Sequence, residues 1–204
     1  MGSGLAQTRM TATPKPFFDP RFARYCEQVR SWIRKGSVTR ERIEELRMLA
    51  STLVAEPLNL TAEQRKLPTE GYGRNLLYRD VDMGFVVIAM VWPPGIQGLP
   101  HDHGTWGVVV VAEGEVELTD YQATSLDPRG ERLRLRETSR VIGQRGSTAY
   151  VMPPDHDVHR VRNASSTEPA VSIHTYGRDI TRCRVVDPSS GRVTWIEPQY
   201  HTLP

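Results

Sequence analysis

The sequence predicts a mainly β protein, a double-sheet barrel with a small helical cap at its N-terminal side. Two observations carry this reading. Residues 19–68 hold apolar side chains at helical spacing between capping and breaking residues. From Tyr72 onward the pattern changes to short β segments separated by glycine and proline turns, and many short strands at regular spacing mark a sandwich or barrel. At 204 residues the chain has the length of one domain, long enough to bury a core. The expected division is a flexible leader over 1–18, then a single domain over 19–204, with the cap at 19–68 and the barrel at 69–204.

Taken in order, Asp19-Pro20 reads as a helix start, aspartate as N-cap and proline in the first turn. Phe22, Tyr25, Cys26, Val29, Trp32 and Ile33 then form one apolar stripe, ended by Gly36. Thr39 caps a second helix with the stripe Ile43, Leu46, Leu49, Ala50 and Leu53, stopped by Pro57. Glu41 lies near its positive end. Thr61 and Gln64 make a capping-box pattern for one or two further turns, closed by Pro68. These helices are assigned packing duty only. The β segments run over 72–78, 85–92, 106–112, 115–121, 133–137, 147–152, 160–163, 170–176, 184–186 and 193–196. Turn signals fall between them, Glu113-Gly114 and Pro153-Pro154 among them. This is a jelly-roll or cupin kind of barrel, whose interior suits a buried metal because strands from distant parts of the chain aim into one space.

Composition narrows the function classes. The net charge is only +2 and the arginines are scattered, so no nucleic-acid partner is expected. No apolar run reaches the ~18 residues that span a membrane, and the N-terminus lacks a signal-peptide core. Cys26 and Cys183 form no motif, so a disulfide framework is not expected and a reducing cytoplasm is. A monomer or weak homo-oligomer is expected.

The chain is organised around the stretch that begins at Leu99. In an extended segment side chains alternate faces, so His101 and His103 point the same way and Asp102 the other. A third imidazole comes from His156 or His159. His159 is favoured, because His159, Val161 and Asn163 alternate with Arg160 and Arg162 as a strand would, whereas His156 follows two prolines and an aspartate. No acid lies among residues 104–108, and Glu113 and Glu115 flank a turn at the barrel rim. The expected metal ligands are therefore three neutral imidazoles. Such a site keeps the full +2 charge of a divalent ion, leaves positions open and favours an anionic ligand such as a thiolate. Zinc accepts this set and so does iron(II); the ligands alone do not choose. Ser172, His174 and Tyr176 share one face of a later strand, with Val171, Ile173 and Thr175 on the other. The row reads either as a hydrogen-bonded relay aimed at the metal or as three satisfied core polars. A serine hydrolase is not indicated, since there is no Gly-x-Ser-x-Gly elbow.

These residues together resemble the cysteine dioxygenase family of cupin-type thiol dioxygenases, over about residues 72–186. His101 and His103 after Pro100 resemble the family's first metal motif, and 159–163 its third-ligand motif. Ser172, His174 and Tyr176, at +13, +15 and +17 from His159, resemble its Ser-His-Tyr relay. Tyr72 and Arg74 resemble the pair that holds the substrate carboxylate. The resemblance implies an Fe(2+) enzyme that uses O2 to oxidise L-cysteine to cysteine sulfinate. The substrate would chelate iron through thiolate and amine, with Arg74 on its carboxylate and Tyr176 hydrogen-bonding oxygen or substrate.

Gly107 departs from the mammalian pattern, in which a cysteine at this position is cross-linked to the tyrosine. The glycine resembles bacterial members. A sister branch oxidises 3-mercaptopropionate and typically has glutamine where Arg74 stands, so Arg74 argues for cysteine. Arg182 and Arg184 are further candidates for a carboxylate partner. The competing readings are a 3-mercaptopropionate dioxygenase, a non-catalytic metal-binding cupin that needs no relay, and a metal-dependent isomerase, which would usually keep the missing glutamate.

Overall fold

The computed structural model describes residues 19–127 and 129–204; the expected leader lies outside the described residues. Helix α1 (Pro20–Arg34) starts where the sequence places it, with the Asp19 carboxylate accepting the Arg21 amide at 2.9 Å. That bond satisfies one of the orphan donors at a helix start. Helix α1 buries Phe22, Tyr25, Cys26, Val29 and Trp32. Helix α2 (Arg40–Leu53), capped by Thr39, buries Ile43, Leu46, Ala50 and Leu53. It ends at the C-cap Val54, before Pro57 is reached; the Val54 N–H donates to Ser51 O and its side chain is fully buried. The Thr61–Gln64 box forms with reciprocal bonds of 2.9 and 3.2 Å, and it starts only one 3-10 turn (Glu63–Arg65).

The strands are β1 (Gly73–Arg79), β2 (Val86–Trp92), β3 (Gly107–Glu113), β4 (Val116–Leu126), β5 (Leu133–Gly143), β6 (Thr148–Val151), β7 (Val158–Asn163), β8 (Ala170–Tyr176), β9 (Cys183–Val186) and β10 (Val193–Ile196). A five-stranded antiparallel sheet has the order β1-β2-β8-β3-β6. A second, three-stranded sheet has the order β5-β4-β7, and β9 pairs with β10 as a ribbon. The late strand β8 thus lies between β2 and β3. The fold is a mainly β, cupin-type double-sheet barrel with a helical cap.

Both faces of the large sheet are covered. One face packs on α1 and α2 through Val87, Ala89, Val108, Val110 and Ile173. The other faces the barrel interior through Val86, Ile88, Val111 and Tyr176, against Val116 and Val161 of the second sheet. Strands β2 and β8 are consequently buried at every position, which is why β2 reads as a continuous apolar run. Each fully buried valine or isoleucine contributes about 1.5–3 kcal/mol.

The structure differs from the sequence reading at two places. Strands β4 and β5 run on to Leu126 and Gly143, well past the expected ends at 121 and 137. Register shifts after Asp120 and Ala123 bend this ribbon. Strand β5 is exposed along most of its length, so Arg134, Arg136 and Arg140 carry no buried alternation to read. Strand β7 starts at Val158 rather than at 160, which takes His159 into the sheet. Among the described residues no helix is long and apolar enough to cross a membrane.

Candidate metal centre

Strand β7 aims His159, Val161 and Asn163 into the barrel, each about 1% exposed. His101 pairs with His159 through two backbone bonds, N–H to O at 3.0 Å one way and 3.1 Å the other. On its other side the 100–102 segment bonds to β9: Asp102 N–H donates to Arg184 O at 3.1 Å, and Val186 N–H to Pro100 O at 2.8 Å. Held extended in this way, the segment turns His101 and His103 toward His159 and Asp102 away from it. The Asp102 carboxylate accepts from Arg184 Nε at 2.6 Å and from its amide at 2.7 Å. The three imidazoles stand with ring centroids 4.6–4.9 Å apart, and one ligand atom from each lies within 4.8 Å of the others.

The donor set fits a divalent metal. His101 donates from Nδ1 to Leu99 O at 2.9 Å, and His103 from Nδ1 to Asp157 O at 2.9 Å. Each ring then presents Nε2 as a lone pair. His103 Nε2 and both ring nitrogens of His159 are buried without a hydrogen-bond partner, a state that costs about 1–3 kcal/mol per group; metal ligation would relieve it at His103 Nε2 and at one nitrogen of His159. Burial, then the neighbouring His103, lowers the His101 pKa to about 3. Burial and the two other imidazoles hold His159 well below the ordinary histidine range. Both rings are neutral at pH 7, as metal ligands must be.

Among the described residues no carboxylate joins this cluster. Glu113 forms an ion pair with Arg65 at 2.6 Å, and Glu115 accepts from Gln144 at 2.8 Å. His156 packs at a tilt against Tyr150 and lies 3.6 Å from Asp120, outside the three-histidine group. Asp157 escaped the sequence reading. Its carboxylate accepts from the His103 amide at 2.9 Å, the Gly104 amide at 3.1 Å and His103 Nδ1 at 3.2 Å. A carboxylate behind a ligand imidazole fixes its tautomer and raises its basicity.

The row on β8 forms a continuous chain. Trp92 Nε1 donates to Ser172 Oγ at 2.9 Å, Ser172 Oγ meets His174 Nε2 at 2.8 Å, and His174 Nδ1 meets the Tyr176 hydroxyl at 2.9 Å. Burial, and after it the neighbouring His103 and His101 imidazoles, keep His174 well below the ordinary histidine range, so the ring holds one proton. Ser172 is fully buried and meets only Trp92, a pure donor, besides His174. Its O–H therefore donates to His174 Nε2, and His174 Nδ1–H donates to the tyrosine oxygen. The Tyr176 proton is left free. Burial pushes that phenol well above its usual pKa, so it stays protonated, and its ring stacks against His103 at 5.3 Å.

Tyr72, Arg74, His101, His103, Tyr176 and Cys183 line one cavity. Tyr72 packs on Trp92 with ring centroids 4.5 Å apart. Arg74 is 6% exposed, and the one carboxylate near it among the described residues, Asp179, lies at 3.9 Å and already pairs with Arg79. The cavity wall thus carries a buried cation short of a counter-ion. Arg184 pairs with Asp102 and Arg182 stacks on Trp195 at 4.3 Å. Cys26 and Cys183 are free thiols. Burial, then Asp102, pushes the Cys183 thiol up to about 11.

Gly107 stands directly against the Tyr176 ring. A Cβ there would lie 2.4 Å from Cδ1 and 2.6 Å from Cε1 of the tyrosine, and 3.1 Å from Val151 Cγ2. Gly107→Ala is expected to displace the ring and cut turnover about 10²-fold, the scale of a misplaced reacting group, while bound metal per chain stays unchanged. Turnover at the native rate would show that the ring is not needed where it stands.

The family described as cysteine dioxygenase type I matches residues 19–189. Cysteine dioxygenase type 1 of Homo sapiens is 27% identical over 169 residues, which cover 78% of this chain and 77% of that protein. The Danio rerio protein of that name is 27% identical over 159 residues, covering 73% and 72%. Among solved structures, a protein with a double-stranded β-helix domain from Klebsiella pneumoniae is 16% identical, covering 69% of this chain and 99% of that one, with a TM-score of 0.43.

Proposed function

The chain belongs to the cysteine dioxygenase type I family, and from that premise we propose that it is an iron(II) thiol dioxygenase converting L-cysteine and O2 to cysteine sulfinate. The observation that carries this reading is the cavity in which His101 and His103 of the three-histidine cluster share a wall with a buried arginine lacking a full counter-ion. His101, His103 and His159 would hold the iron, which supplies the activation of O2 toward the thiol sulfur. With no protein carboxylate among the ligands, the site keeps the ion's charge and favours a thiolate. Arg74 binds the substrate carboxylate through charge-assisted hydrogen bonds, which also orient the sulfur. Tyr176, its proton freed by the relay, donates a hydrogen bond to the reacting oxygen or to the substrate. The stoichiometry closes without an external reductant: a thiol and O2 give a sulfinic acid, sulfur losing the four electrons that O2 gains.

The continuous relay favours an enzyme over a non-catalytic cupin, and the absence of a carboxylate from the cluster disfavours the isomerase reading. Arg74 favours cysteine over 3-mercaptopropionate. The test is oxygen uptake by iron(II)-loaded protein with each thiol in parallel. Uptake with L-cysteine is expected to exceed that with 3-mercaptopropionate. The reverse order would move the enzyme to the sister substrate, and no uptake with either would overturn the reading.

A further inference from the structure

The family match ends at residue 189, yet several residues that hold Arg74 lie beyond it. Segment 197–204 runs along β1, an edge strand of the large sheet. Arg74 N–H donates to His201 Nδ1 at 2.9 Å, and His201 N–H returns a bond to Arg74 O at 2.8 Å. Leu76 N–H donates to Thr202 O at 3.1 Å, and Thr202 Oγ1 donates to Asn75 Oδ1 at 3.0 Å. Asn75 and Thr202 form a parallel bridge, so the segment covers a sheet edge that would otherwise stand open.

The same segment engages the guanidinium. Pro198 O accepts from Arg74 Nη1 at 3.1 Å, and the Tyr200 ring lies 4.1 Å from the guanidinium carbon. The Tyr200 hydroxyl donates at 2.6 Å to Asp179 Oδ1, the oxygen 3.9 Å from Arg74 Nη2. Tyr200 therefore does two things. It fixes the plane of a long, flexible side chain by stacking, and it occupies the carboxylate oxygen that could otherwise neutralise Arg74. Of the five guanidinium donors, the carbonyls of Pro198 and Ile180 take two.

We infer that segment 197–204 is a positioning strap for Arg74, and that Tyr200, with His201 behind it, sets the preference for thiols bearing a carboxylate. This rests on Arg74 being the carboxylate anchor proposed above. Tyr200 and His201 act through Arg74 and are positioning residues.

The test uses metal-loaded, oxygen-free protein and two thiols that differ only in the carboxylate, L-cysteine and cysteamine, with dissociation constants measured by calorimetry. Tyr200→Leu is expected to weaken L-cysteine about tenfold, the scale of a desolvated cation–π contact, and to leave cysteamine unchanged. Tyr200→Phe keeps the ring and frees Asp179, so it too should weaken L-cysteine. Adding Asp179→Asn to Tyr200→Phe should restore binding, a rescue that general damage to the fold would not show. Unchanged L-cysteine affinity in Tyr200→Leu, or equal weakening of both thiols, would overturn the strap. Equal affinity of the two thiols for the unaltered protein would overturn the reading of Arg74 itself, and the strap with it.

Discussion

Replacing His103 by alanine is expected to empty the metal centre. Three nitrogen donors converge there, with no carboxylate among the described residues of the cluster to take over a lost position. His103 is also the best-braced of the three, held by the Asp157 carbonyl and carboxylate and stacked against Tyr176. Loss of a partner merely behind a ligand typically costs 10–100-fold in metal affinity. Loss of the ligand itself should cost at least ~10²-fold on that scale. The check is metal per chain after dialysis against a weak chelator, with circular dichroism to show that the barrel persists. Full retention of metal by a folded variant would remove His103 from the ligand set.

Arg74→Ala carries the second large effect. A buried charge pair to the substrate carboxylate is worth about 2–5 kcal/mol when one partner is truncated. The specificity constant for L-cysteine should fall accordingly, by roughly 30-fold to a few thousand-fold. The substitution also strips the carbonyls of Pro198 and Ile180 of their donor and Tyr200 of its stacking partner. Melting temperature should therefore be read beside the kinetics, with cysteamine as the substrate lacking the carboxylate. An unchanged constant for L-cysteine would mean that no buried anchor operates at Arg74. The other two arginines considered for the role have partners of their own, Arg184 in Asp102 and Arg182 in the Trp195 ring.

Much of this was legible in the chain because it depends on local periodicity. Alternation alone orients His101 and His103 against Asp102, and separates Ser172, His174 and Tyr176 from Ile173 and Thr175. The structure keeps those faces: Ile173 packs on the helical cap and Thr175 bonds to Tyr25 of α1 at 2.7 Å. The helix starts were legible because Asp19 and Thr39 act on amides only a few positions away. What escaped depends on distant partners. Asp157 looked like one acid in a loop, and nothing local says that it reaches back to His103 and Gly104. Trp92 read as the end of an apolar strand, yet its N–H sets the polarity of the relay. Tyr200 and His201 sit in a short tail with no apolar period, and only the parallel bridge to Asn75 brings them to Arg74. The length of β5 was hidden because an exposed strand rich in arginine lacks the buried alternation that marks a strand.

The most direct measurement of the central claim is the fate of isotopically labelled O2. Iron(II)-loaded protein is given L-cysteine under heavy-oxygen O2 and the product is examined by mass spectrometry. The account predicts cysteine sulfinate with both oxygens drawn from O2, and none from protein carrying His103→Ala. Cystine as the only product, or sulfinate whose oxygens come from water, would contradict it.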